Sequence, residues 1–580
     1  GPEVRTAFFN PSIVLVVAVG GMMLIRGFDH YSPYSWDEFA SWLYWPKEAF
    51  AAGTYLAKKM GWQTLLYTQG WPMAVLFPHA FFEQFAAARG AAVAVVWHAA
   101  LLGLFYDALR AHVQRALPFA PKAFGSLLGW TIVLGLLAVE ATWTLMPDLL
   151  LVEKPQIYMI AGSLAFVLLG LATDKDPERS KYIFAAGVAL AGAYLVKVTA
   201  LAVVLPTSLA VLMMLHTQRS KGGNDWRAAV RNLALLLLPV AATYLWWAAV
   251  RPFDFPGSCF GDPFALPAIH EDMMGKGLET LQRLAIETTA YLASYKLPLS
   301  LIGAAGVGAA FFDRRLAPVA WALVAYAIIY FASLIPLYAW CTSDSLGLEW
   351  LDSLQRYLRV PLRIFHLIAP GLLALAVLRR FGRADNPILT SLPRRRATHI
   401  ALAIMVAAGG IYQLRATDAV IRNAVTRDQE PRESAAEIRA VERDAIDMVA
   451  LINSLKFPRV PTVTIIAQEQ TGFELRIARY RALSKRRNQR FLYHVDNSYS
   501  WGPEAENHWM RAVSTDHLIA HFRSRDILWP IKTDAWMRSI ISRLVDDESC
   551  ADKPEIYFLV RTGGERPAFQ CLVKRSDSAG

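Results

Sequence analysis

The chain has 580 residues, of which 55% are hydrophobic and only 18% are charged, and its formal net charge is +11. Soluble domains average about 25% charged residues, and here the apolar residues come in runs about as long as a bilayer is thick. This composition excludes an ordinary soluble enzyme. It predicts a polytopic α-helical membrane protein over residues 1–415 and a small soluble α/β domain over 416–580.

The apolar runs predict about eleven transmembrane helices. The first run is taken as a retained helix, because no small-residue cleavage site follows Ile25. Lys197 interrupts the long run 182–215, which is interpreted as two helices with a tight outer turn that keeps this lysine near the surface. The predicted spans are 8–25, 91–109, 124–143, 156–172, 182–198, 199–215, 232–249, 291–312, 316–337, 360–378 and 398–414.

Alternate loops between these spans are basic. By the positive-inside rule the basic set faces the cytoplasm, which puts the N-terminus inside and the C-terminal domain outside. These loops supply much of the excess positive charge, so a nucleic-acid partner is not needed to explain it. The set includes Arg110 and Arg115, Lys175 to Lys181, Arg219 to Arg231, Arg314 and Arg315, and Arg379 to Arg396.

The four cysteines all fall in segments predicted to lie outside the cytoplasm: Cys259, Cys341, Cys550 and Cys571. An oxidising compartment would allow Cys550 to pair with Cys571, and Cys259 with Cys341. Four unpaired thiols are the alternative, because sequence does not show how far apart the cysteines lie.

The first outer loop, residues 26–90, has the most informative sequence. It opens with Trp36-Asp37-Glu38-Phe39 and later contains Tyr67-Thr68-Gln69-Gly70-Trp71-Pro72. Adjacent acids among aromatic residues just beyond a first helix are poorly explained by packing, because buried acids are costly unless paired or functional. The aromatic residues either form an interfacial belt or stack against sugar rings and lipid. The acidic pair favours a site.

This layout resembles the GT-C superfamily of membrane glycosyltransferases, which begin with a cytoplasmic N-terminus and carry an acidic pair in a long first outer loop. The resemblance implies transfer of a sugar from a polyprenyl-phosphate donor to a lipid or glycan acceptor, usually with inversion. Asp37 would be the general base. Glu38 would share that role, orient Asp37 or hold a cation. Trp36, Tyr67 and Tyr357 would line the substrate site.

The departing lipid phosphate needs positive charge near the outer membrane boundary. Arg356, in Gln355-Arg356-Tyr357, resembles an Arg-Tyr element of GT-C proteins in which the arginine faces the phosphate, and arginine suits bidentate phosphate contact. Lys197 and Lys154 are the other candidate phosphate ligands. Each cation has a bland alternative, since basic side chains near helix ends extend toward lipid headgroups. Lys154 could also pair with Glu153 or Asp148.

No metal or other cofactor is assigned. His270-Glu271-Asp272 lies in an outer loop, residues 251–285, and lacks a second histidine ligand nearby. Some members of the superfamily use a divalent cation with their acidic motif and others do not, so the resemblance leaves this question open.

Residues 416–580 predict a small α/β domain without a glycine-rich phosphate motif. Its four tryptophans, Trp501, Trp509, Trp529 and Trp536, are interpreted as core residues, with glycan contact as the alternative. The predicted elements are a connecting helix within 416–455, strands at 460–467 and 490–495, helices at 472–483, 515–523 and 534–545, and a hairpin of 556–560 with 568–573.

The sequence thus predicts a glycosyltransferase of a bacterial inner membrane that acts on the periplasmic face in lipopolysaccharide or polysaccharide synthesis. Its partners would be the lipid-linked donor, a lipid or glycan acceptor and membrane lipids. One alternative is a transporter or flippase of lipid-linked sugars, although no internal repeat is evident and the acids cluster outside. Another is a polysaccharide polymerase or ligase, whose families usually lack an acidic pair in the first loop.

Overall fold

The structure is a computed structural model of the whole chain. It describes residues 33, 37–54, 68–117, 125–133, 152–218, 226–250, 273–293, 297–336, 351–381, 432–468, 473–488, 491–496, 500–504, 510–545, 558–561 and 568–572.

The chain forms two compact units. The helical unit consists of Gly1–His30, Gly61–Ala74 and Ala91–Ile421, and the mixed unit of Tyr31–Met60, Val75–Gly90 and Arg422–Gly580. The mixed unit therefore includes two stretches of the first outer loop, which the sequence analysis assigned to the membrane domain.

The predicted first outer loop contains regular structure. Its described residues form a π-helix at Glu38–Trp42, helix α1 at Tyr44–Ala52, helix α2 at Gly70–Leu76 and a 3₁₀ helix at Phe77–Phe81. Gly53 ends α1 in the left-handed conformation (φ 67°), where glycine avoids a steric penalty. Helix α3, Ala87–Ala116, follows at the end of this loop.

The remaining helices of the helical unit follow in chain order. They are α4 (125–133), α5 (Glu153–Ala172), α6 (Asp176–Val196), a 3₁₀ helix (Val198–Val203), α7 (Val204–Gln218), α8 (Trp226–Val250), α9 (Met273–Ala293), α10 (Leu297–Phe311), α11 (Ala317–Pro336) and α12 (Leu351–Phe381). Helix α6 packs against both α5 and α8, and α10 packs along α12. Gly187 lets α6 approach α8 closely, since a Cβ there would lie 3.0 Å from the carbonyl oxygen of Leu235.

Six helices within the described ranges are long and apolar enough to cross a membrane: Ala87–Ala116, Glu153–Ala172, Val198–His216, Trp226–Val250, Ala317–Leu334 and Tyr357–Arg380. Each overlaps one of the eleven predicted spans. Predicted spans 182–198 and 291–312 correspond to α6 and α10, but α6 begins with charged residues and α10 has only 15 residues. Spans 8–25 and 398–414 lie outside the described residues, and only 125–133 of span 124–143 is described.

One predicted loop is wrong over part of its length. The outer loop 251–285 includes the beginning of α9, a helix of 21 residues with one apolar face. Charged residues such as Arg283 and Glu287 alternate there with leucines, so the stretch lacks the continuous apolar run by which the spans were recognised. His270-Glu271-Asp272 lies outside the described residues.

The mixed unit has a five-stranded sheet with strand order β2-β1-β5-β6-β7. Strands β1, β2 and β5 are parallel, whereas β5, β6 and β7 pair antiparallel. The elements from residue 432 onward are α13 (Arg432–Leu455), β1 (Thr462–Ala467), α14 (Phe473–Ala482), β2 (His494–Val495), β3 (Ser500–Gly502), β4 (Met510–Ala512), α15 (Thr515–Arg523), β5 (Ile527–Lys532), α16 (Ala535–Ser542), β6 (Phe558–Arg561) and β7 (Phe569–Leu572).

The C-terminal hairpin predicted from sequence is formed by β6 and β7. The predicted strand at 490–495 is limited to His494–Val495, and sequence analysis missed β5, which pairs with both β1 and β6. Trp501 and Trp529 are buried as expected of core residues, while Trp509 lies outside the described residues. Cys571 on β7 is disulfide-bonded. Cys550, Cys259 and Cys341 lie outside the described residues.

A polar cluster joins β1, the end of β2 and α15 within the mixed unit. The Asp496 carboxylate accepts hydrogen bonds from Thr464 Oγ1 and His521 Nε2, the latter at 3.0 Å, and lies 3.2 Å from Arg525 Nη1. Burial raises the pKa of Asp496, but the hydrogen bonds from His521 and Thr464 and the charge of Arg525 outweigh it, and the net shift is downward.

Candidate functional site

The helical unit buries an ion pair. Lys197 is only 7% exposed, and its Nζ lies 2.9 Å from Oε1 of Glu153 on the first turn of α5. The same Nζ lies 4.0 Å from the centroid of the Tyr357 ring on α12. Lys197 is therefore enclosed by protein at the turn between the two predicted helices. Because α5 packs against α6, the lysine finds its counter-ion inside the protein.

A break between two helices positions Lys197. It follows the last residue of α6, in an extended conformation (φ −156°, ψ 131°), and precedes the 3₁₀ helix. Its N–H donates to Ala193 O at 2.9 Å, and its carbonyl accepts from Ala200 N at 3.0 Å. Irregular backbone at membrane depth is tolerated only where its polar groups are satisfied and it lines a cavity or is covered by protein. At Lys197 both the backbone N–H and the carbonyl are hydrogen-bonded within the protein.

The Thr68-Gln69-Gly70-Trp71 segment of the first loop packs at the same end of α6. A Cβ on Gly70 would lie 2.6 Å from Cβ of Leu195, so only glycine permits this close approach. Thr68 and Gln69 are buried although polar, and Trp71 packs on Trp97 of α3 with ring centroids 5.5 Å apart. The first loop thus contributes polar side chains next to the residues that flank Lys197.

Several buried polar atoms on these elements have no hydrogen-bond partner among the described residues: His98 Nε2, Gln156 Oε1 and Thr68 Oγ1. His98 stacks on Tyr158 of α5 at 5.0 Å, and Gln156 Nε2 donates to Thr199 Oγ1 at 2.9 Å, just after Lys197. Buried polar groups in native proteins are nearly always paired, and exceptions need an explanation such as a ligand. The cluster is therefore suited to a polar ligand.

Two other predicted phosphate ligands lie on the same elements. Lys154, beside Glu153 on α5, is buried. Arg356 precedes Tyr357 on α12, and its side chain lies outside the described part of the structure, as do Trp36 and Tyr67. We call Lys154, Lys197, Tyr357, Glu153, Gln156 and His98 the buried cation cluster. Each of the predicted cations thus comes from a helix end that the sequence assigned to the outer side.

The acidic pair belongs to the mixed unit. Asp37 is half-buried and directly precedes the π-helix, whose first residue, Glu38, is fully buried. Leu43 N donates to Glu38 O at 2.9 Å, which closes the wide turn. Single π-turns occur frequently at functional sites. Because Glu38 is fully buried and lies in a π-helix, it is not a solvent-exposed loop acid.

Tyr480 of α14 packs beside this π-helix, with its ring 5.5 Å from that of Phe39. Burial raises the pKa of Tyr480 to about 12, Arg481 lowers it, and the charges of Glu442 and Glu38 add to the rise. Glu38 is therefore within electrostatic reach of Tyr480.

The mixed unit also buries a lysine, Lys47 of α1. It is 2% exposed, and its Nζ donates to Tyr480 O at 2.7 Å and lies 4.1 Å from the centre of the Tyr480 ring. Burial lowers the pKa of Lys47 well below its usual value. Arg481 and Lys485 contribute to this decrease, and Glu442 opposes it.

Sequence analysis did not single out Gln156, His98 or Lys47, and it named Glu153 only as a possible partner of Lys154, whereas the structure pairs it with Lys197. A usable signal existed for His98, because it is an ionisable residue inside a predicted span, and such residues are functional candidates. Lys47 gave no comparable signal, since it lies in a predicted outer loop, where lysines are usually exposed.

No family model and no curated protein sequence matches this chain. The solved structures that resemble it include two of ArnT from Cupriavidus metallidurans. The apo state has a TM-score of 0.50 and 14% identity, covering 92% of this chain and 95% of that chain. The structure bound to undecaprenyl phosphate has a TM-score of 0.49 and 16% identity, covering 89% and 92%.

At this identity the apo ArnT structure shows the fold alone. ArnT is a GT-C glycosyltransferase. With the six apolar helices, this shows that the chain is a polytopic membrane protein with the GT-C fold. The fold that the superfamily resemblance implied is therefore confirmed.

Proposed function

We propose that the protein is a glycosyltransferase that moves a sugar from a polyprenyl-phosphate donor to a lipid or glycan acceptor on the periplasmic face of a bacterial inner membrane. The observation that carries the proposal is the buried cation cluster. Its members Lys154, Lys197 and Tyr357 lie on neighbouring elements, and Arg356 precedes Tyr357 on α12. A phosphate on a lipid is the ligand that such a group of cations at a membrane boundary would recognise.

The lipid phosphate would bind Lys197, with Lys154 and Arg356 as further ligands. In the structure Lys197 is already oriented by Glu153 and by the Tyr357 ring. A buried lysine held in one rotamer loses less conformational entropy when it binds an anion. The orphaned donors and acceptors of Thr68, Gln156 and His98 would then contact the sugar or the phosphate.

Transfer itself would be a single displacement. The Asp37 carboxylate accepts the proton of an acceptor hydroxyl, whose oxygen attacks the anomeric carbon of the donor sugar. The bond between that carbon and the phosphate oxygen breaks on the opposite face, and the configuration inverts. The bonding electrons leave with the polyprenyl phosphate, whose added negative charge Lys197 and Arg356 stabilise. Glu38, buried beside Asp37, would orient it.

A sugar-transfer assay tests this proposal. Purified protein in nanodiscs is given a panel of radiolabelled polyprenyl-phosphate sugars with bacterial envelope lipids as acceptors. Wild type forms a new glycolipid and releases polyprenyl phosphate. Asp37→Asn lowers transfer by about 10²–10⁴-fold, because it removes the base, and it retains binding of polyprenyl phosphate.

The matched control is Lys181→Met, an exposed lysine on α6, which leaves transfer unchanged. Transfer at the wild-type rate by Asp37→Asn would reject the base assignment. Movement of intact lipid-linked sugar across the proteoliposome membrane, without a new glycosidic bond, would show that the protein is a transporter and not a transferase.

A further inference from the structure

The stretch of the first loop from residue 70 to residue 82 contains no aspartate, glutamate, lysine or arginine. Its inward side chains recur every four residues: Trp71, Val75 and His79 are fully buried. Its outward face is also apolar. Phe77 is 66% exposed and Phe81 is 75% exposed. A water-facing helix would carry polar residues on that side, so the pattern fits an apolar surrounding.

The exposed phenylalanines are held in a fixed arrangement. The rings of Phe77 and Phe81 meet edge to face with centroids 5.8 Å apart. On the buried side, His79 Nδ1 lies 2.9 Å from Val75 O and its Nε2 lies 2.7 Å from Ala86 O. Arg487 donates to Ala80 O at 2.8 Å, which caps the 3₁₀ helix. Tethered on one side and apolar on the other, the segment presents a preformed surface.

The chain continues directly from this surface into α3, which is apolar enough to span the membrane. Arg89 in the first turn of α3 and Arg110 near its other end are about 31 Å apart along the helix axis. The hydrocarbon core of a bilayer is about 30 Å thick. The guanidinium of Arg89 lies 3.6 Å from the ring centre of Phe82. This spacing is that expected of a helix with Arg89 at one bilayer boundary, and Phe82 contacts Arg89.

We propose that Phe77, Phe81 and Phe82 form an aromatic wedge that inserts among phospholipid acyl chains, just below the headgroups, in the leaflet at the N-terminal end of α3. Aromatic side chains favour this depth, and the arginine beside them pairs with headgroup phosphates. The occupant is bilayer lipid, because the surface continues from a membrane-spanning helix. The wedge anchors this part of the first loop in the leaflet, independently of the proposed sugar transfer.

Photo-crosslinking tests the wedge. The full chain is prepared with p-benzoylphenylalanine replacing Phe77 or Phe81, a substitution that keeps an aromatic ring, and is reconstituted in phosphatidylethanolamine–phosphatidylglycerol nanodiscs. After irradiation, intact-mass analysis shows a phospholipid adduct at each position, attached through acyl-chain carbons near the headgroup. The control replaces His517, an exposed residue on α15, and gives no lipid adduct.

Absence of lipid adducts at positions 77 and 81 would overturn the proposal. So would an adduct to a second copy of the chain, because the surface would then mediate self-association. Equal lipid adducts at positions 77, 81 and 517 would indicate nonspecific labelling and would also overturn it.

Discussion

The two units each bury a lysine against a tyrosine ring, but they treat its charge differently. In the helical unit, Lys197 lies beside the Tyr357 ring and is paired with the Glu153 carboxylate. In the mixed unit, Lys47 lies beside the Tyr480 ring and donates to a neutral carbonyl, with Arg481 and Lys485 nearby. The first arrangement keeps a cation in the membrane region. The second joins an N-terminal helix to the C-terminal domain.

Burial alone does not mark a functional lysine. What distinguishes Lys197 is its setting: a broken helix, a counter-ion on another helix, and unpaired polar atoms on the surrounding elements. Lys47 has the setting of a structural contact, because its main partner is the backbone of the helix it holds.

Replacement of the buried Lys197 in the helical unit has the largest expected effect on stability. Lys197→Met leaves the Glu153 carboxylate buried without this partner, and breaking a buried ion pair in this way costs about 3–5 kcal/mol. Lys197→Met/Glu153→Gln removes both charges and recovers most of that loss. Thermal unfolding in detergent measures both variants. Equal melting temperatures for the single and double variants would show that the pair is not coupled.

Replacement of Asp496, the carboxylate at the centre of the polar cluster in the mixed unit, has an intermediate expected effect on stability. Asp496→Asn removes the charge that orients His521 and Arg525 and costs about 1–2 kcal/mol in the free energy of unfolding. Because the folded-state pKa of Asp496 lies below its usual value of 3.8, its contribution is present above that pH and is lost as the pH falls below it. Chemical denaturation at several pH values checks this, and a variant as stable as wild type at neutral pH would contradict it.

The smallest effect is expected at Lys47. Lys47→Met relieves the desolvation of an ammonium group but leaves the Tyr480 carbonyl without its donor, so stability at neutral pH changes by less than about 1 kcal/mol. The informative quantity is the pH dependence. The folded-state pKa lies well below 10.5, so the unfolded chain binds more protons in between, and wild type gains stability as pH rises toward 10.5.

The Lys47→Met variant lacks that gain. Subtraction of its unfolding free energy from that of wild type, measured from about pH 8 to about pH 10, isolates the lysine from the other titrating groups. A difference that stays constant across this range would mean that Lys47 is not desolvated in the folded state.

The membrane helices were predictable because a bilayer imposes length and apolarity on each span, and both can be read locally. The elements of the cation cluster were predictable for the same reason: charged residues at the outer ends of apolar runs are visible in sequence. The Lys197–Glu153 pair was not, since the two residues are 44 positions apart and meet only through the packing of α5 on α6.

The mixed unit was harder to predict. Strand β5 contains Pro530 and lacks a clean alternation, so its place between β1 and β6 depends on long-range pairing. The packing of α1 in this unit includes the contact of Lys47 with Tyr480, between residues 433 positions apart. No local pattern encodes either arrangement.

Lipid binding is the most direct test of the central claim, that the buried cation cluster recognises the phosphate of a polyprenyl lipid. Polyprenyl phosphate and the matching polyprenol are titrated into nanodiscs that hold wild type or Lys197→Met/Glu153→Gln. The account predicts that wild type prefers the phosphate form and that the double variant binds it roughly 10- to 100-fold more weakly, with binding of the alcohol unchanged. Equal affinity of wild type for the phosphate and the alcohol would contradict it.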